Sequence, residues 1–316
     1  MLCMPAIAAL NHNPESVTAL SKAYGFLLGQ EYSLARIEKA YPAHRLHVEQ
    51  ARLGFGSAFP DAKAKLEKEL AAALGTDKVR QLHAEMFKKV KSLLDQQALS
   101  PEIAQQFLEQ VKARAKGQEI DPDVLNYLLA VRYADSPVGE FGAGFRQRYQ
   151  TDGSGKSQGI KLKLQLPRSW VAKEGERPHI VQKWVSEGGT GMANILLQVR
   201  DAEGYKPSRR EMDEFVRSGE IRDVVPDGAR FITGGAFSQE QSVGYWMEMS
   251  MAQERAAMRM VSRGFMYVLF FRGKGVMLMC MTAGPEDSSV KVDADSVKMR
   301  PLCQQVMNSV VFEQAY

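Results

Sequence analysis

The chain has 316 residues, is 45 % hydrophobic and 25 % charged, and carries a net charge of +4. That is a globular balance, with enough chain for about two domains. Before Asp135 stand seventeen Lys/Arg and fifteen Asp/Glu; the even spread speaks against a nucleic-acid surface, and no apolar run is long enough to span a bilayer.

Residues 1–14 read as a signal-peptide remnant or a plain tail. Ala6-Ile7-Ala8 has the small-x-small form of a cleavage site, after the apolar "MLCMP". A basic segment before it is missing. The expectation is export to the periplasm or beyond, with a mature start near Ala9; the alternative is a cytoplasmic protein with an apolar start.

Residues 15–134 read as an all-α bundle of six or seven helices. "PESVTALSKAYGFLLG" places Val17, Leu20, Tyr24, Leu27 and Leu28 at helical spacing and stops at Gly29. "EYSLARIEKAY" ends at Pro42. "AHRLHVEQARLGFG" sets Leu46 and Leu53 on one face, two turns apart. "DAKAKLEKELAAALG" stops at Gly75. The next helix is capped by Thr76 and buries Val79, Leu82, Met86, Val90 and Leu93. Ser100-Pro101 and Asp121-Pro122 each pair a cap with Pro at the first helical position. His44 and His47 share a face near Glu49, but no third ligand follows at zinc spacing.

"TDGSGKSQG", Thr151 to Gly159, carries Gly155-Lys156-Ser157, the second half of a phosphate-binding loop. Gln150 stands where that loop needs Gly, and neither a buried strand before nor a helix after is present. Residues 135–159 therefore read as a flexible connector.

From residue 160 to 316 the period changes. "IKLKLQLP" alternates as a half-buried strand. "HIVQKWVS" and "ANILLQVRD" follow as strands. "PSRREMDEFVRSG" is a helix with a capping box of Ser208 and Glu211 and a stop at Gly219. "ARFITGGAF", "SVGYWMEMSMA", "MRMVSRGFMYVLFFRG" and "GVMLMCMTAG" are long strands, the last two joined by a tight turn at "RGKG". "MRPLCQQVMNSVVF" closes as a helix. Strands joined by turns give an antiparallel sheet. "VLFF" and "GVMLMCM" are apolar on both faces, so helices must cover each side. The fold class is thus two domains, an all-α bundle and an α+β antiparallel sheet sandwiched by helices.

The ending "LPRSW" of the first strand, the pair "HIVQKWVS…ANILLQVRD", the capped helix, the long meander and "CQQVMNSVVF" together resemble the PsbP-like fold, named for an extrinsic subunit of photosystem II. Its relatives carry a similar Pro-x-x-Trp, here Pro167 to Trp170. They also carry a similar Ser-x-x-Phe ending, here Ser309 to Phe312. The resemblance covers roughly Gly159 to Tyr316. It implies a non-enzymatic binding or assembly module, often exported in bacteria, and it transfers no catalytic residue.

Eleven of sixteen methionines fall between Met247 and Met307. Met247, Met249 and Met251 share one strand face, as do Met277, Met279 and Met281. Thioethers select Cu(I), and Met also fills cores. Cys280 points to the opposite face from its Met neighbours. Cys280 and Cys303 form either a bridge between the last strand and helix or two buried thiols. Trp170, Trp184 and Trp246 are candidate ligand-groove residues. Glu248 shares the Trp246 face and is informative if buried. The second half's one histidine, His179, reads as structural, and no Gly-x-Ser-x-Gly elbow occurs. The reading is an exported, non-enzymatic binding or assembly protein with a protein partner or small ligand. It needs no cofactor. The alternatives are a small-ligand or copper(I) carrier on the Met-rich sheet and, further off, a hydrolase.

Overall fold

The structure is a computed structural model that describes residues 10–255 and 258–316. The signal-like Ala6-Ile7-Ala8 lies outside these residues. The chain divides into two compact units between Ala134 and Asp135.

The first unit is helical. Helix α1 (Pro14–Ala40) starts on a capping box: Asn13 Oδ1 accepts from Ser16 N and Ser16 Oγ accepts from Asn13 N. It runs on through Gly29, where the sequence predicts a stop. One helical glycine costs only about 1 kcal/mol, and buried Leu27, Leu28, Leu34 and Ile37 flank it on both sides. After a short turn at Pro42–His44 comes α2 (Arg45–Ala58), which buries Val48, Ala51 and Phe55. Leu46 and Leu53, expected inside, are 62 % and 71 % exposed. The spacing that decides the face is i, i+3, i+7 from Val48, not the seven-residue step from Leu46. Helix α3 (Ala62–Leu74) is followed directly by α4 (Thr76–Asp95). Gly75, at φ 89°, ends the one and begins the other, so Thr76 is the first helical residue rather than the cap. Of the five apolar positions predicted inside α4, Val79 alone is fully buried and Leu93 is exposed. Helices α5 (Pro101–Arg114) and α6 (Pro122–Tyr133) begin as expected on Ser100 and Asp121 caps. Helix α6 is buried from Val124 to Val131 and packs on α1 and α3.

The second unit begins before the predicted connector ends. Residues 135–159 hold helix α7 (Pro137–Gly142) and strand β1 (Arg146–Gln150), so they are not a linker. Glu140 and Phe141 of α7 are buried. Strand β1 pairs antiparallel with β2 (Leu162–Pro167). "TDGSGKSQG" is the hairpin loop between them: Asp152 Oδ1 accepts from Ser154 N, and Thr151 Oγ1 bridges Ile160 O and Leu162 N. Sequence periodicity misses β1 because RQRYQ alternates polar against polar.

Strands β3 (Val171–Lys173) and β4 (Ile180–Val185), the one-turn α8 (Ser186–Gly189), and β5 (Asn194–Asp201) come next. Helix α9 (Arg209–Ser218) has the Ser208/Glu211 capping box and the left-handed Gly219 stop. The long meander is β6 (Ala229–Gln239), β7 (Ser242–Arg255), β8 (Met258–Phe271) and β9 (Lys274–Pro285). Arg272 and Gly273, both at positive φ, make the β8–β9 turn, the left-handed pair a two-residue hairpin favours. Helix α10 (Ser289–Asn308) starts ten residues before the predicted Met299, because Val290 and Val297 face outward and blur the apolar stripe. Strand β10 (Val311–Phe312) ends the order.

Seven strands form one antiparallel sheet in the order β3-β4-β5-β9-β8-β7-β6, and β1-β2-β10 form a second small sheet. The strand "IKLKLQLP" is therefore in the small sheet. Together with α10 this sheet covers one face of the large one. The core between them holds Leu162, Leu164, Trp184, Phe265, Leu302 and Phe312 among others. Helix α9 covers the other face at β6 and β7. The helical first half and antiparallel second half stand as expected. The covering of the sheet differs: a sheet-plus-helix layer lies on one side and a single short helix on the other.

Candidate functional site

The uncovered part of the large sheet is set by strand register. Met247, Met266, Met279 and Leu196 lie opposite one another across β7, β8, β9 and β5. The neighbouring row runs Met249, Gly264, Met281, Asn194. Paired residues on one face have Cβ atoms about 5 Å apart, so the thioethers form one continuous surface. Gly264 gives this row its depth. A Cβ there would stand 2.5 Å from Met281 Sδ and 2.1 Å from Cys280 O, so Met281 lies folded over a position that only Gly can hold.

Helix α9 decides which of these methionines are core. Its Met212, Phe215 and Val216 pack with Met247, Met249 and Met266, all of which are buried. The helix is only ten residues long, about 15 Å at helical rise, and makes its sheet contacts on β6 and β7. Met277, Met279 and Met281 on β9, and Leu196 on β5, stay half-buried. Met192, just before β5, is 39 % exposed. Met251 shares the face and is half-buried near the end of β7. The six predicted methionines thus share one face but divide into a covered pair and an open group. Farther along the Met279 row come Lys183 on β4 and Lys173 on β3. Neither lysine makes an ion pair among the described residues, so the open apolar strip ends in free positive charge.

The opposite face holds the other predicted residues. Trp170 and Trp184 are buried in the core under α10 and the small sheet. They are 3 % and 1 % exposed. Tyr149 of β1 meets Trp184 edge-on at 4.9 Å, so the unrecognised strand is what closes over the indole. Trp246 is half-buried beside them, its Nε1 over Gly235, where a Cβ would come within 3.0 Å. Glu248 is buried at 3 % exposure. Its carboxylate accepts from Arg263 at 2.8–2.9 Å and from Arg300 of α10. Arg263 also pairs with Asp293 of α10 at 2.8 Å, and the Arg300 guanidinium lies 4.9 Å from the Phe265 ring centre. This network fastens α10 to β7 and β8. It is a structural clasp, with every charge partnered.

Cys280 and Cys303 are disulfide-bonded, joining β9 to α10, so neither supplies a thiol to a soft metal. The His44 and His47 rings lie 5.9 Å apart, tilted by 48°. Among the described residues no three His, Cys, Asp or Glu side chains group as a metal site. His179 shares a hydrogen bond with Arg200 at 3.0 Å on an exposed edge. Burial and the Arg200 charge hold it below the usual histidine range. Among the described residues no helix is long and apolar enough to cross a membrane.

No family model matches the chain, and no curated protein matches it. Solved structures align with about half of it. The Saccharomyces cerevisiae Ran-binding protein Mog1p aligns at 7 % identity and TM-score 0.35, covering 53 % of this chain and 95 % of its own. LpqN, involved in cell envelope biogenesis of Mycobacterium tuberculosis, aligns at 11 % identity and TM-score 0.29, covering 56 % and 96 %. A Bacteroides thetaiotaomicron protein aligns at 8 % identity and TM-score 0.28, covering 53 % and 48 %. At such scores the likenesses decide neither fold family nor function.

Proposed function

We propose that the second unit is a PsbP-like, non-enzymatic binding module that docks a protein partner on its open methionine face. The observation that carries this is the partial cover of the sheet: α9 shields Met247 and Met249 and leaves Met277, Met279 and Met281 half-open. Met is flexible and polarizable, and surfaces built from it repack around differing apolar partners. The partner chemistry is an apolar segment with acidic residues beside it, matched to Lys183 and Lys173. An exported location belongs to the same reading, supported by the Cys280–Cys303 bridge, since disulfides persist in oxidising compartments.

A photo-crosslinking residue at Met279 in native cells tests the docking face, with one at exposed Val297 on α10 as control. A discrete protein adduct at 279 and none at 297 is expected. No adduct at 279, or the same adducts at both, contradicts the reading.

The cross-strand run Met247–Met266–Met279 favours one second reading, a Cu(I) carrier. Competition titration with a Cu(I) chelator separates the two. Tight binding lost in a Met249→Leu/Met279→Leu variant supports the carrier, and absence of binding removes it.

A further inference from the structure

The first unit holds a polar chain that the sequence does not announce. Tyr24 of α1 is fully buried, yet its hydroxyl meets two polar groups. It donates to Glu67 Oε1 of α3 at 2.5 Å and shares a hydrogen bond with His83 Nδ1 of α4 at 2.6 Å. A phenol has one proton, and an ionised carboxylate can only accept. The Tyr24 proton therefore lies toward Glu67, and His83 must donate Nδ1–H to the phenol oxygen. The free ring nitrogen is Nε2. Burial, then the bond and charge of Glu67, push the Tyr24 phenol well above its ordinary range, so the hydroxyl keeps its proton and the chain its polarity.

His83 also lines a cleft of about 520 Å³ between α3 and α4. That volume suits a small ligand. Ala64, Ala71 and Val79 give the cleft an apolar wall, and Thr76, Lys68 and Arg80 stand around it. Arg80 pairs with Asp77, while Lys68 makes no ion pair among the described residues. The His83 ring is parallel to Phe87, 2° between planes at 6.2 Å, which with the Tyr24 bond fixes its rotamer. The arrangement is an oriented imidazole acceptor at a largely apolar cleft that Glu67 also lines, with a free cation at the edge. Hydrogen bonds in such a chain polarise one another, so the Glu67 charge makes Nε2 a stronger acceptor.

We propose that this cleft binds a small, mostly apolar molecule carrying one acidic hydroxyl, of the phenol class. Its O–H donates to His83 Nε2, its body lies on Ala64, Ala71 and Val79, and Lys68 faces charge that builds on its oxygen. The site is independent of the methionine face.

The test uses the full chain with 4-nitrophenol as probe and 4-nitroanisole, which lacks the donor, as control. Calorimetric titration should show nitrophenol binding at least about tenfold tighter than nitroanisole, the worth of one good hydrogen bond. His83→Ala should abolish that difference. Tyr24→Phe, which keeps the ring but frees His83 Nδ1, should shrink it. Lys68→Ala, at an exposed position, should weaken nitrophenol severalfold without touching the core, and so covers the case in which the buried variants fail to fold. Long-range proton–nitrogen NMR of the free protein should find the proton on His83 Nδ1. Equal binding of the two probes, unchanged binding by Lys68→Ala, or a neutral ring protonated on Nε2 would overturn the proposal.

Discussion

Two buried carboxylates do different work. Glu140, on α7, is 2 % exposed, and its oxygens accept from Ser169 N at 2.7 Å and Ser169 Oγ at 2.6 Å. Burial outweighs those bonds and pushes its carboxyl up to about 7 from 4.5. The folded group holds its proton to higher pH than the unfolded one. Its contribution is therefore fully present below about 4.5 and is lost as pH rises through about 7, by at most roughly 3 kcal/mol. Urea stability of the wild type should fall across that window, and Glu140→Gln, which preserves both contacts to Ser169, should flatten the decline. An identical slope in the variant would remove Glu140 as its source. Glu248 is held by charge instead, a buried carboxylate between two arginines. Glu248→Ala leaves Arg263 and Arg300 facing each other. It should cost about 2 kcal/mol in a denaturant titration, below the usual buried-pair loss because both arginines reach solvent. The sequence placed Glu248 on the correct face, since strand alternation needs only a period of two. Its partners on α10 were not legible, because Arg300 is 52 residues away and no periodicity links them. For the same reason Tyr24, His83 and Glu67, on three different helices, could not be joined from spacing.

Helix ends and hairpins were legible because their signals are local. The Ser208 box, the Gly219 stop, the Pro101 and Pro122 starts and the Arg272-Gly273 turn all act within a few residues of themselves. Ser208→Ala should lower stability by about 1 kcal/mol, read from the same titration, since both reciprocal bonds of the box are present. Elements whose reason lies elsewhere were not legible. Strand β1 exists because β2 and Trp184 receive it, and its own RQRYQ gives no apolar alternation. A flexible connector would be cut early by trypsin. The paired strand should instead protect Arg146 and Arg148, and mass spectrometry of limited digests should show their cleavage late, after exposed sites elsewhere. Early cleavage there would contradict the folded β1–β2 hairpin. Helix α4 shows the converse: its stripe is regular, yet only Val79 finds full cover, because a periodic face does not say whether a neighbour is present.

At the scale of the molecule, the change of period near residue 160 separates a helical half from a sheet half, and the compact units divide earlier, between Ala134 and Asp135. The Cys280–Cys303 bridge closes a 23-residue separation across the β9–α10 junction, behind the methionine face. Replacing both cysteines by alanine should lower stability by about 3 kcal/mol, measured as a shifted urea midpoint against the oxidised wild type; an unchanged midpoint would mean that the bridge holds nothing together. The account turns on whether the open methionines meet a partner or merely finish a core. The direct measurement is affinity of the purified chain for the protein captured at position 279, comparing a Met277→Leu/Met281→Leu pair with a Met277→Glu/Met281→Glu pair. The Leu pair conserves volume and should bind within a few-fold of wild type. The Glu pair sets two charges on the face and should lose at least about tenfold in affinity, a difference of roughly 1.4 kcal/mol, while circular dichroism shows the sheet intact. A folded Glu pair that binds as wild type does would contradict the docking face.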